Sequence, residues 1–159
     1  MPIEYIKTIS ERYSRLGYPS YEWVRNEDAP PWQPLKQPLN KCRVALSASG
    51  GIYKVGQLAF HFKDDDSFRE IPKDVDIEDL RITHFAYDKT DARRDPNCVF
   101  PIDPLRRLEK EGFIGELAPF QYTFMGGIYS FRKVRENLAP AITEQLLKNH
   151  VDVLLLVPV

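Results

Sequence analysis

An α/β fold is what this sequence predicts: a mostly parallel sheet with flanking helices, Rossmann-like in its three layers and preceded by an N-terminal helical arm. Dense apolar runs, Cys42-Arg43-Val44-Ala45-Leu46-Ser47 and Val151-Asp152-Val153-Leu154-Leu155-Leu156-Val157, read as strands buried on both faces. Segments of helical period lie between them, and strand–helix–strand alternation implies parallel pairing with right-handed crossovers. At 159 residues the chain is long enough for one domain with a real core.

The elements follow in order. Residues 3–16 place Ile3, Ile6, Ile9, Tyr13 and Leu16 at three- and four-residue steps, an amphipathic helix that Gly17 and Pro19 end. Pro30, Pro31, Pro34 and Pro38 make residues 29–39 an extended connector, because proline carries no ladder donor. Such a connector serves either as a spacer packing Trp32 against the body or as a ligand for a proline-recognising module. Two regions result, an arm and connector over 1–40 and an α/β domain over 41–159.

The first strand, at 42–47, exits into Ser49-Gly50-Gly51. Residues 52–66 read as a loop whose Asp64-Asp65-Asp66 is solvated, since EF-hand ligand spacing is missing. A second strand is expected at 81–86 and a helix at 103–111, with Asp103 as N-cap, Pro104 in the first turn and Gly112 at the end. A third strand at 113–118 leads into an aromatic loop at 119–127. Residues 128–148 form a helix broken near Ala139-Pro140, and the final run is a central, buried strand.

Twenty-two Lys and Arg against 23 Asp and Glu give no global electrostatic case for nucleic acid or an acidic membrane. Cys42 and Cys98 lack metal or redox spacing, and no apolar run approaches a membrane span. A reduced, cytoplasmic setting with free thiols follows, with a possible homo-oligomer among the states open to the chain.

Ligands of open parallel sheets bind outside the carboxyl ends of the strands. The first exit offers Ser49, Gly50 and Gly51, whose glycines let backbone N–H groups approach a carboxylate, or which simply make a tight turn. The second strand delivers His84, Tyr87, Asp88 and Asp91 within eight residues, which combine a possible acid/base, a phenol and carboxylates. A half-buried strand histidine donating to a carbonyl is the competing reading. Phe124, Met125 and Gly126 can wall a pocket or belong to the core. Arg69 can clamp a carboxylate or pair with Glu70.

Several spaced segments together resemble the selenoprotein B family of glycine, sarcosine, betaine and D-proline reductases, from about Cys42 to Val159. They are Ser67-Phe68-Arg69-Glu70-Ile71-Pro72, His84 with Tyr87-Asp88 and Asp91, Asp95-Pro96-Asn97, and Phe100-Pro101-Ile102-Asp103-Pro104-Leu105. Glu111-Gly112-Phe113-Ile114, Ala118-Pro119, Phe124-Met125-Gly126 and the last strand complete the set. The resemblance implies reductive cleavage of a carbon–nitrogen bond in an amine or amino-acid substrate, with a pyruvoyl-bearing partner subunit and no cofactor in this chain. It implies His84, Asp88 and Asp91 as catalytic, with Ser49, Gly50, Gly51, Arg69, Tyr87, Phe124, Met125 and Gly126 binding substrate. The redox selenocysteine or cysteine would follow Val159 directly. Either a selenocysteine codon has been read as a stop, or the chain is a short relative that binds or assembles without catalysing.

Overall fold

A computed structural model describes residues 4–19 and 26–159, which fall into two compact units, 1–34 and 35–159. In the first, helix α1 (Tyr5–Arg15) has no buried side chain. Gly17, at φ +82°, closes it: its N–H reaches Ser14 O and that of Tyr18 reaches Tyr13 O, the hydrogen-bond pair of a left-handed helix end. Trp32 is exposed rather than packed away.

The second unit is built on β1 (Arg43–Ala48), an apolar strand that is hydrogen-bonded along both edges. On one edge it pairs in parallel with β7 (Val153–Val157). On the other it meets β5 (Glu116–Leu117) at its start and β6 (Phe120–Phe124) at its end, both parallel. Beyond β6 lies β3 (Phe68–Pro72), antiparallel. A separate antiparallel ribbon joins β2 (Ile52–Lys54) to β4 (Leu80–Ile82). The mostly parallel sheet with flanking helices is as expected; the Rossmann-like likeness gains no support from this strand order.

Alternation along β1 divides the core. Val44, Leu46 and Ala48 face Phe100 and helix α3 (Ile102–Lys110), following the short helix α2 (Thr90–Arg94). Ala45 faces Tyr122, Leu138 and Ile142 of the opposite layer, which comprises α4 (Phe131–Lys133), a wide turn and α5 (Ala139–Lys148).

Between Val44↔Leu117 and Ser47↔Tyr122, two residues of β1 face four of the neighbouring strand, one of them Pro119. The fully buried Gln121 fills this break. Its Oε1 accepts from Leu46 N–H at 2.7 Å and its Nε2 donates to Ala118 O at 2.8 Å, replacing the ladder with an amide side chain.

Several expectations need correction. The strand expected at 81–86 ends at Ile82 and belongs to the ribbon, because Gly51 turns the chain and holds Thr83 N–H on its own carbonyl at 2.9 Å. The expected loop at 119–127 contains β6, and that at 52–66 contains β2. The acidic run is pinned: Asp64 Oδ1 accepts from Tyr129 and Ser130 N–H, and Asp66 holds Asn137 and Lys133. Of the third strand only Glu116–Leu117 forms, with Phe113 exposed.

Helix α3 begins at Ile102, which is buried, so Asp103 lies inside the first turn rather than at the N-cap. Asn97 Oδ1 takes the Asp103 N–H instead. Pro140 lies in the first turn of α5, and the i→i+5 turn Val134–Leu138 before it absorbs the missing donor. The last strand is an edge, not a central strand, and Leu155 and Leu156 are 39% and 64% exposed.

Replacing Gln121 with Ala leaves Leu46 N–H and Ala118 C=O buried without partners, so urea unfolding should show a loss of about 1–3 kcal/mol. A loss within error would show that the break in the ladder needs no bridge.

Candidate functional site

The carboxyl end of β1 gathers the site. Ser49 N–H donates to Val157 O at 3.1 Å, and Ser49 O accepts from Gly126 N–H at 2.8 Å. Gly51 N–H donates to Phe124 O at 3.0 Å. The Ser49 and Gly51 amides are thus committed to the fold, and the Ser49 hydroxyl accepts from Val159 N–H at 2.9 Å. Gly51 has φ +71°, where a Cβ would stand 2.0 Å from Thr83 O. Gly50 lies against Val99, and its carbonyl accepts from the Tyr87 hydroxyl at 2.8 Å.

His84 enters from the ribbon, not from a parallel strand exit. It is 2% exposed, stacked on Phe85 at 5.6 Å and tilted against Tyr87 at 4.7 Å. Nδ1 accepts the Ala86 N–H at 3.0 Å, so the ring proton sits on Nε2, which has no partner among the described residues. Burial, and then the charge of Lys89, push the imidazole pKa down. Burial followed by Cys98 pushes the Tyr87 phenol up to about 12, so it remains a donor.

A Cβ on Gly126 would lie 3.3 Å from both Ser49 Cβ and Ser49 O and 3.4 Å from His84 Nε2, so these three residues meet at one tight point, the mouth at the end of β1, with Val159 beside Ser49. Tyr122 turns into the α5 layer and accepts from Asn149. Asp88 caps the start of α2 through Thr90, and Asp91 pairs with Arg94; neither hydrogen-bonds the imidazole. Arg69 is spent on Leu58 O, Ser67 Oγ and Phe68 O, over the Phe60 ring, with no ion pair to Glu70. Met125 is core. Phe124 lines a 230 Å³ apolar cavity under α5 with Ser47, Leu138, Ile142 and Leu156, away from the mouth.

Sequence reasoning missed Phe85, whose ring lies over Gly127: a Cβ there would be 2.7 Å from Phe85 Cζ. The paired glycines Gly126-Gly127 were the available signal, since a close approach to backbone needs positions without side chains.

Residues 17–158 match the family described as glycine/sarcosine/betaine reductase selenoprotein B. The chain belongs to this family. Among curated relatives, it is 40% identical over 140 residues to D-proline reductase subunit gamma of Acetoanaerobium sticklandii, covering 88% of this chain and 58% of that one. It is 34% identical over 144 residues to glycine reductase complex component B subunit gamma of Symbiobacterium thermophilum, covering 87% and 32%. Sarcosine reductase complex component B subunit beta of Peptoclostridium acidaminophilum is 32% identical over 99 residues, covering 58% and 22%. This chain therefore spans little more than half the length of the first of these curated relatives and about a third of the second. No solved structure matches it.

Because His84 is held neutral, the unfolded chain binds a proton that the folded one refuses. Stability should be fully present above the ordinary histidine pKa of about 6.5 and fall as the pH drops below it. Thermal unfolding between pH 7 and 5 measures this, and His84→Gln should flatten the slope in that window. An unchanged slope in the variant would place the proton uptake on another group.

Proposed function

We propose that this chain is a subunit, or part of a subunit, of an amino-acid reductase of the glycine, sarcosine, betaine or D-proline type, acting in the cytoplasm to cleave a carbon–nitrogen bond reductively. The observation that carries the reading is the 40% identity to D-proline reductase subunit gamma over 88% of the chain. In this role the mouth at the end of β1 receives the amine or amino acid, with Ser49 and His84 as donors toward it. Asp88 and Asp91 hold the start of α2 at the rim, while Tyr87 and Gly50 fix the floor.

A pyruvoyl group on a partner subunit supplies the carbonyl that activates the amine. Donors such as the Ser49 hydroxyl and the His84 N–H fit a carboxylate or carbonyl oxygen brought to the mouth. The two-electron step needs a redox residue, and neither cysteine suits it. Cys42 lies at the amino end of β1, opposite the mouth, with its thiol on Gln37 O and Pro38 O. Burial, Asp95 and Asp91 push the Cys98 thiol pKa up, away from the thiolate a nucleophile requires. The same cysteine placement favours, as second reading, a non-catalytic binding or assembly subunit that uses the same mouth.

The test is co-purification with a pyruvoyl-bearing subunit, followed by assays on D-proline, glycine, sarcosine and betaine with a dithiol donor. The chain should form a stable complex, give no turnover alone, and behave identically as the Cys42→Ser, Cys98→Ser double variant. Absence of a complex overturns the reductase reading, and turnover by the isolated double variant overturns the account of the redox residue.

A further inference from the structure

Three buried side-chain polar atoms are without hydrogen-bond partners among the described residues: Ser47 Oγ, Thr123 Oγ1 and His84 Nε2. The first two are hydroxyls, whose hydrogen rotates to suit its surroundings. The third is different. The Ala86 N–H on Nδ1 at 3.0 Å fixes both tautomer and ring direction, so the Nε2–H points one way and cannot be turned to a partner elsewhere. A buried donor left unmade is costly, and its retention calls for a partner that arrives later.

The surroundings define that partner. Nε2 borders Gly126, which presents no side chain, and Ser49 flanks the same position with its Cβ and carbonyl oxygen, its hydroxyl being held by Val159 N–H. Lys89 is anchored on His84 O at 2.7 Å, and the nearby carboxylates of Asp88 and Asp91 are bound to Thr90 and Arg94. The one fixed N–H donor left there calls for an acceptor oxygen. The Phe85 ring, 39% exposed and edge-to-face with Phe62 at 6.3 Å, stacks on the imidazole and lies over the bare Gly127 backbone.

We propose that His84 is a fixed Nε2–H donor that binds a carboxylate oxygen in the mouth between Ser49 and Gly126, with Phe85 as its cover. His84 here orients a ligand and does not shuttle protons. The inference rests on the reading of this mouth as the place where an amino acid is received, and it names the group that is held.

The experiment is nitrogen-15 NMR of the labelled full chain, titrated with acetate. His84 should show a protonated Nε2 and an acceptor-type Nδ1 at neutral pH, with the Nε2–H signal moving saturably downfield as acetate is added. His84→Gln, which keeps an amide donor, should bind acetate within about threefold of the parent. His84→Leu and Gly126→Ala, the second filling the mouth with a Cβ, should each weaken binding at least about tenfold, as for a lost hydrogen bond to a charged group. Amide spectra verify that each variant is folded, and if His84→Leu does not fold, Gly126→Ala decides. A proton on Nδ1, or an acetate response unchanged in His84→Leu or Gly126→Ala, overturns the proposal. Loss of the acetate response with partner co-purification intact refutes this inference alone. Loss of partner binding with the acetate response intact refutes the reductase reading alone.

Discussion

Gly51 carries a backbone angle of φ +71°, and a Cβ at that position would collide with Thr83 O at 2.0 Å. This close approach joins the two sheets. Through it, the Gly51 carbonyl takes the Thr83 N–H while its own N–H goes to Phe124 O, so one residue ties β1, β6 and the β2–β4 ribbon together. His84 follows Thr83 directly, and its position beside Ser49 and Gly126 is a consequence of that tie. An alanine at 51 would meet both an unfavourable backbone region and a backbone atom that has nowhere to move.

The second dependency is the central strand. With parallel partners on both edges and apolar contacts on both faces, β1 has almost no freedom, and its exit is correspondingly well placed. The cost of that rigidity falls on the neighbouring strand, where Pro119 interrupts the ladder and Gln121 restores it with a side chain. A buried amide is tolerated there because both of its ends are satisfied, which separates it from the His84 ring, satisfied on one nitrogen only.

How far the sequence could be read follows from these same residues. The first and last strands were legible because Val, Leu and Ala run without interruption, as strands buried on both faces do. The edge position of β7 was not, because composition reports burial averaged over a run and not which neighbour supplies it. Phe120-Gln121-Tyr122-Thr123-Phe124 alternates as a strand should, but the flanking Pro119 and Gly126-Gly127 gave it the look of a loop. In β3, Arg69, Glu70 and Pro72 masked an antiparallel edge strand. At the site, Ser49, His84 and Gly126 were named from the sequence and do come together, whereas Arg69 and Met125 were named and belong to the framework. Side-chain chemistry identifies candidates, and only long-range backbone contacts decide which of them meet.

The electrostatics of the mouth complete the picture. Tyr87 stays protonated because burial opposes the phenolate, and its hydrogen is given to Gly50 O. The imidazole stays neutral because burial opposes its charge and Lys89 adds to the penalty. Asp88 has its pKa lowered by its bonds to Thr90, so its charge is stabilised at the start of α2 and not directed inward. His84 and Tyr87 are therefore kept neutral by burial, and Asp88 is kept charged by its hydrogen bonds to Thr90. A fixed imidazole N–H donor, with the Asp88 carboxylate turned to Thr90, favours binding and orienting an acceptor oxygen over exchanging protons with it. In the proposed reductase role, the chemistry of bond cleavage would fall to groups brought to this point, and His84 would fix where an oxygen of the substrate lies.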